Sequence, residues 1–332
     1  MSTGTDTLRV GTLGAARITP TALIRPARKV EGVRIAAVAA RDVARAQRFA
    51  DKHGIERVHR SYRALVEDPE IDALYNPLPN GLHCEWTVRA LDAGKHVLCE
   101  KPLAANEREA RRMADAAAAN DRVLVEAFHW RYHPLAERIL EIVHSGEIGR
   151  VTRIQAGMCF PLPWPRDIRF QLALAGGATM DCGCYVVSLV RHLSGQEPEV
   201  LSASMKAMSP GVDRFMQAEL RFPDGVTGHV RCSMWSARLL ELAVRIEGED
   251  GELRVLNPVM PHLFHRLRLS TRAGRRVEKV AGEPSYTHQL RAFLAAVREA
   301  QPVPTDGPDG VANMRVVDAI YRAAGYSPRG EA

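Results

Sequence analysis

Several things are missing from this sequence, and each absence closes off a class of function. No segment reaches the roughly 18 uninterrupted apolar residues that cross a bilayer. The opening residues Met1 to Val10 lack the basic-then-apolar layout of a secretory leader. Together these point to a soluble cytoplasmic protein with no membrane partner. Long basic runs are absent too: Lys plus Arg number 45 against 39 Asp plus Glu, a net +6, yet clusters such as Arg111-Arg112 and Arg275-Arg276 are only two long. A nucleic-acid partner would leave a patch or stripe of positive charge, so none is expected. The six cysteines (Cys84, Cys99, Cys159, Cys182, Cys184 and Cys232) form no Cys-x-x-Cys pair. That excludes zinc-ribbon and thiol-redox readings and leaves buried, reduced thiols. His83, His129 and His133 read as structural or cofactor-adjacent, and no metal is expected. Internal repeats and low-complexity linkers are also missing.

What is present is the composition of an ordinary globular chain, 332 residues with 46% hydrophobic and 25% charged, long enough for about two domains. Over residues 7 to 127, short apolar runs (Leu8 to Leu13, Val33 to Ala39, Ala73 to Tyr75, His96 to Cys99, Val123 to Glu126) alternate with amphipathic stretches such as Val43 to His53 and Cys84 to Ala93. Continuous apolar strands separated by helices of 10 to 15 residues signal β-α-β units on a parallel sheet buried on both faces. The first domain, 1 to 127, is therefore expected to be an α/β doubly wound sheet of the Rossmann type. From residue 128 onward the texture changes. A helix at about His133 to Ser145 precedes alternating strands: Arg153 to Phe160, Phe215 to Phe222, Thr227 to Met234, Glu241 to Gly248, Gly251 to Leu256 and His265 to Ser270. Turns such as Pro223-Asp224-Gly225 join them, and two helices, about Tyr286 to Glu299 and Gly310 to Ala324, close the chain. The second domain, 128 to 332, should be α+β with a large open, mainly antiparallel sheet. Its free face needs a cover, for which a second subunit in a homodimer or homotetramer is the expected solution.

Chemistry concentrates at a few places. The first strand runs into Gly11-Thr12-Leu13-Gly14-Ala15-Ala16-Arg17-Ile18-Thr19, a degenerate dinucleotide turn in which Gly14 can make the tight bend while Ala16 and Thr19 replace the later glycines. Helix amides following such a turn favour an anion. Arg41 stands at the tip of the second strand, where a cation suits a 2′-phosphate, so NADP is favoured over NAD; Asp42 reads as the cap of the next helix. After the strand Ala73 to Tyr75, the segment Asn76-Pro77-Leu78-Pro79-Asn80 stands at the right height to line the cofactor. Glu100, Lys101 and Pro102 follow the strand His96 to Cys99, at the edge where open parallel sheets bind ligands. Asp181 and Tyr185 are four apart and share one face of a helix. Trp130, Arg131, Trp164 and Arg169 are candidates to line a substrate cavity, an aromatic face suiting a sugar's CH surface and an arginine fork its oxygens.

Taken together, the first turn, Glu100-Lys101-Pro102, the stretch Glu126 to Pro134 and the stretch Gly176 to Tyr185 resemble the Gfo/Idh/MocA oxidoreductases over essentially the whole chain. Val38 to Asp42 and the Asp-x-Gly-x-Tyr pattern at Asp181 to Tyr185 are most similar to the branch holding dimeric dihydrodiol dehydrogenases, NADP-linked D-xylose dehydrogenases and glucose-fructose oxidoreductase. The resemblance implies hydride transfer between a nicotinamide and a sugar or cyclic alcohol, with the family's lysine, tyrosine and aspartate carried onto Lys101, Tyr185 and Asp181. It also implies a cofactor site drawn from Gly14, Ala15, Ala16, Arg17, Ile18, Arg41, Pro77, Leu78, Asn80, His83, Glu100, Lys101 and Arg131. Physical chemistry gives the same division of labour. Taking a hydride from a carbinol requires that its hydroxyl proton leave as well, so a positioned base is needed. A free phenol, with its pKa near 10, is a poor base at pH 7. An ammonium within about 4 to 6 Å would lower that value by one to three units. Either Lys101 or Tyr185 could carry the proton, and the assignment preferred is Tyr185 with Lys101 as electrostatic partner. A non-catalytic NADP sensor on the same fold is the alternative.

Overall fold

The computed structural model describes residues 7–237 and 239–331. The first six residues, on which part of the leader reading rests, lie outside them. The chain divides into two compact units. One comprises the chain up to Ala104, Arg108–His129 and Tyr286–Val311; the other comprises Ala105–Glu107, Trp130–Ser285 and residues from Ala312 on.

The first unit is built on β1 (Leu8–Leu13), β2 (Val33–Ala39), β3 (Arg57–His59), β4 (Ala73–Asn76), β5 (His96–Cys99) and β6 (Leu124–Glu126). They form one sheet in the order β3-β2-β1-β4-β5-β6, and all its pairings are parallel. This is the doubly wound dinucleotide-binding topology, whose ligand crevice lies beyond the strand ends where the order reverses, between β1 and β4. The helices are α1 (Arg25–Ala27), entered through a π turn at Pro20–Ile24, then α2 (Val43–His53), α3 (Tyr62–Val66), α4 (His83–Asp92) and α5 (Glu107–Ala119). Burial on both faces explains the continuous apolar runs: consecutive Ala73, Leu74, Tyr75 and Asn76 are all 0% exposed. The expected single cut at 127 meets a returning segment. Glu126 N donates to Thr305 O and Thr305 Oγ1 donates to Glu126 O, so residues around 305 add a bridge along β6 and bring the last part of the chain back to the first unit.

The second unit contains α6 (Pro134–His144), β7 (Val151–Cys159), α7 (Cys184–Ser194), β8 (Glu199–Ser209), β9 (Val212–Arg221), β10 (Thr227–Ser233), β11 (Glu241–Gly248), β12 (Gly251–Leu256), β13 (Arg266–Thr271) and β14 (Gly274–Glu278). Its sheet runs β14-β13-β12-β11-β7-β10-β9-β8, antiparallel except for the β7–β10 pair. Alternation sends Met216, Ala218, Leu220, Val230, Cys232, Val244, Ile246, Leu253, Val255, Leu267 and Leu269 inward, where α7 packs on β7 and β10. The opposite parity is charged, as in Arg231, Arg245, Arg254 and Arg268. The last two helices are α8 (Ser285–Glu299) and α9 (Gly307–Ala323). One stretch, Leu172–Ser194, is long and apolar enough to suggest a membrane span, but 83% of its apolar window is buried in the protein, as for a core helix.

Candidate functional site

In the first unit the cofactor-type turn is built as its glycine requires. Gly14 sits at φ +100°, where a side chain would be strained, and its N–H donates to Ala39 O at 2.6 Å, closing β1 onto the end of β2. Ala15 and Ala16 follow with nothing beyond Cβ, and Arg17 is exposed. The buried hydroxyl of Thr19, at the head of the π turn, has no protein partner. A small-residue turn before a helix start and an orphaned buried donor fit a diphosphate. Asp42 is occupied as the N-cap of α2, accepting from Arg45 N at 3.1 Å, while Arg41 beside it is exposed. Arg45 reaches back to donate to Ala15 O at 2.8 Å, tying α2 to the turn.

The segment after β4 is braced from below. Asn76 accepts from Leu78 N and donates to His83 O and Thr87 Oγ1. His83 is 0% exposed; its Nε2 lies 2.7 Å from Leu78 O and its Nδ1 2.9 Å from Pro102 O, and burial pushes its pKa down. Its ring is consumed by two loops, so it supports the cofactor segment from within rather than facing a ligand. Pro77 and Asn80 remain partly exposed, while Leu78 is 8% exposed and lies against the Gly14 turn. Glu100 is anchored by the buried Tyr75, whose hydroxyl donates to Glu100 Oε1 at 2.7 Å. Tyr75 and Tyr286 both have phenol pKa values raised by burial and by the Glu100 charge, with Lys101 opposing the shift at Tyr286. Neither tyrosine was singled out from sequence: Tyr75 sits in an apolar strand and Tyr286 in a distant helix. Tyr286 also stacks on His129, ring centroids 3.9 Å apart.

In the second unit Asp181 lies in a π turn, Thr179–Gly183, that runs directly into α7, where Tyr185 is the second residue. The expected four-residue spacing thus spans a junction between wide and regular helix. Arg169 holds Asp167 through Nε at 2.9 Å and Nη2 at 3.2 Å, and presents Nη1 to Asp181 Oδ2 at 3.7 Å. Gly176 permits this approach, since a Cβ there would meet Arg169 O at 2.6 Å. Arg169 and Asp181 are therefore together. Tyr185 is 7% exposed. Trp164 is 64% exposed on its loop, whereas Trp130 is 1% exposed and meets His192 edge-on, a core position that leaves it no free face for a sugar. Arg131 is partly exposed. His133 caps α6, its Nδ1 accepting from Leu135 N at 3.1 Å. Among the described residues no group of three or more His, Cys, Asp or Glu could hold a metal, and all six cysteines are buried.

A doubly wound sheet with a dinucleotide turn, joined in sequence to a large mixed sheet whose helix carries an acid and a phenol, defines a two-domain nucleotide-dependent oxidoreductase. Comparison with known proteins agrees. Residues 8–128 match the oxidoreductase family with an NAD-binding Rossmann fold, and residues 136–254 match the GFO/IDH/MocA C-terminal domain. The chain belongs to the GFO/IDH/MocA oxidoreductase family. It is 38% identical over 318 residues to D-xylose 1-dehydrogenase (NADP(+)) 2 of Haloferax volcanii, covering 95% of this chain and 96% of that protein. It is 34% identical over 226 residues to the trans-1,2-dihydrobenzene-1,2-diol dehydrogenase of Sus scrofa, covering 68% and 66%. Its fold matches that of KijD10, a 3-ketoreductase from Actinomadura kijaniata solved with NADP and TDP-benzene, at a TM-score of 0.89 and 28% identity over 96% of this chain and 98% of that one.

Proposed function

We propose that this chain is an NADP-dependent dehydrogenase or reductase that moves a hydride between the nicotinamide and a carbinol or carbonyl carbon of a sugar, sugar derivative or cyclic diol. NADP is the cofactor the chain's own residues suit: Gly14, Ala15 and Ala16 leave backbone open to a diphosphate, Asp42 is spent as a cap, and exposed Arg41 is free of the acid that would reject a 2′-phosphate. Arg17, Ile18, Pro77, Leu78, Asn80, Glu100 and Arg131 are assigned to the same site, with His83 as a brace. When bound, NADP accepts or supplies the hydride.

The observation that supports the reading is the head of α7, where Arg169 Nη1 lies 3.7 Å from Asp181 Oδ2 and Tyr185, 7% exposed, follows four residues on. In the oxidative direction the Tyr185 oxygen takes the substrate hydroxyl proton as hydride leaves the same carbinol carbon; in reduction Tyr185 returns a proton to the nascent alkoxide. Lys101 stabilises the phenolate form, and Asp181 with Arg169 orients the substrate hydroxyls. Trp164 is assigned to the substrate rim. Cytoplasmic residence, where thiols stay reduced, suits six cysteines that are all buried and include no Cys-x-x-Cys pair.

The outward face of the second sheet is assigned to a homodimer or homotetramer. It forms a hollow of about 370 Å³ lined by Arg231, Glu241, Arg245, Arg254, Arg266 and Arg268, with Arg231 and Glu241 paired at 2.7 Å. Light scattering should give a multiple of 36.7 kDa; a monomeric mass removes this assignment. For the activity, absorbance at 340 nm is followed with NADP and a panel including D-xylose and trans-cyclohexane-1,2-diol. Tyr185→Phe should slow turnover by roughly 10² to 10⁴, and unchanged turnover refutes its role.

A further inference from the structure

The second unit hides a charged cluster that the proposed chemistry does not use. Asp213, the second residue of β9, is 0% exposed, and four donors saturate its carboxylate. Thr179 N and Thr179 Oγ1 both donate to Oδ2 at 2.7 Å. Tyr321 OH donates to Oδ1 at 2.9 Å, and Arg329 Nη2 to Oδ1 at 2.8 Å. Arg329, 2% exposed, lies over the Tyr321 ring and also donates through Nε to Gly176 O at 2.7 Å. Asn106 Nδ2 in turn donates to Arg329 O at 2.6 Å.

The cluster grips both ends of the segment Gly176 to Thr179, which leads into the helix bearing Asp181 and Tyr185. Gly177 lies between them at φ +138°, and a Cβ there would overlap the Asp213 carboxylate. A buried ion pair is weak evidence for stability but fixes geometry when every partner is satisfied. Geometry is at stake here because Thr179–Gly183 is a π turn, with Cys184 N donating to Thr179 O. A π turn holds one residue more than a regular turn, and α-helix advances about 100° per residue. If the turn relaxed to α, Asp181 would swing by about that angle relative to Tyr185.

We propose that Asp213 and Arg329 are positioning residues, a buried strut that holds the π turn open and so sets Asp181 against Tyr185. The strut rests on the reading of Tyr185 as the acid and base, and its test separates the two. Asp213→Asn keeps the size but loses the charge and one acceptor; Tyr321→Phe removes a single donor and is the milder variant should the first fail to fold. Three quantities are measured on the full chain: turnover with the best substrate of the panel, NADPH affinity by fluorescence titration, and the Tyr185 resonance in protein labelled at tyrosine Cζ, identified by its loss in Tyr185→Phe. Turnover should drop roughly 10- to 100-fold, as for small misplacement of a reacting group, with unchanged NADPH affinity and a shifted or broadened Tyr185 signal. Arg329→Lys should recover part of the turnover lost in Arg329→Ala. An unmoved Tyr185 signal in both test variants overturns the strut, as does a moved signal with full turnover when Tyr185→Phe is inactive. If Tyr185→Phe is itself fully active, the acid-base reading fails, and the signal alone decides whether the strut holds the turn.

Discussion

The two sheets of this chain solve burial differently, and their chemistry follows from the difference. In the first, both faces of the central strands are covered, so neighbouring residues such as Leu74 and Tyr75 are equally buried and β4 offers no side chain to a ligand. Its candidate groups therefore crowd the ends of strands: the Gly14 turn after β1, Arg41 after β2, Leu78 after β4 and Lys101 after β5. In the second, one face packs on α7 while the other is a ladder of charge, including the Arg245–Glu252–Arg254 contacts at the β11–β12 pair. There the strands present surface, and the candidate chemistry moves onto the helix that covers the inner face.

The widest expected contrast lies between chemistry and surface. Lys101→Ala in the first unit and Tyr185→Phe in the second should each slow hydride transfer by roughly 10² to 10⁴. Arg268→Ala on the outer ladder should leave turnover within about twofold, measured at 340 nm under saturating NADP and substrate. A large loss in the Arg268 variant would mean that the outer face belongs to the site.

Stability should show the same asymmetry. On β4, Leu74→Ala removes a side chain with 0% exposure and should cost about 2 to 5 kcal/mol, and its neighbour Tyr75→Ala about 3 to 5. On β12, at protein concentrations low enough to dissociate the assigned oligomer, only one parity should be sensitive: Leu253→Ala, also 0% exposed, costs as much as Leu74→Ala, whereas Arg254→Ala stays within about 0.5 kcal/mol. Urea midpoints read all four. Equal losses at Leu253 and Arg254 would show that the outer face is covered in solution, which is what a subunit interface would do.

The same asymmetry decides what could be read from sequence. The interior strands were legible to within about three residues, Leu8–Leu13, Val33–Ala39 and Gly251–Leu256 most closely, because core burial forces an apolar run or strict alternation. The three strands that went unrecognised, β3, β8 and β14, are edge strands. In β8 no residue is buried, so nothing compels a pattern. At the candidate site, charged or glycine-bearing segments after strands were visible, since position alone marks them. The buried Asp213–Arg329 pair was not: its partners are separated by 116 residues, and no local spacing announces them. Nor was Trp130 correctly placed, because an indole between two basic neighbours looks like a rim and proves to be core.

Acid should expose a weakness in the helix layer. Burial, helped by Arg131 and Arg191, depresses the His192 imidazole on α7 from 6.5 to about 3. The fold therefore favours the neutral ring: its contribution is complete above pH 6.5 and is lost progressively as pH falls toward 3, because the unfolded chain gains the proton first. His192→Gln should flatten that decline, so that the gap between wild type and variant narrows on going from pH 7 to pH 4.5 in thermal melts. A constant gap across that range would show that His192 titrates at its ordinary value.

The smallest effect tests the strand end that the first sheet devotes to the cofactor. Arg41 is exposed just past β2, and Asp42 next to it is committed to the α2 cap. A guanidinium at this place attracts the adenosine 2′-phosphate but has no comparable partner on NAD, so Arg41→Ala should weaken NADP binding by about 1.4 kcal/mol, roughly tenfold, and leave NAD nearly unchanged. Because the contact is exposed, raising the salt from 0.05 to 0.5 M should shrink the NADP preference of the wild type toward that of the variant. Equal losses for both dinucleotides would move the 2′-phosphate contact elsewhere on the turn. The nearest alternative is Arg45, already held against the Ala15 carbonyl, and Arg45→Ala would then carry the discrimination.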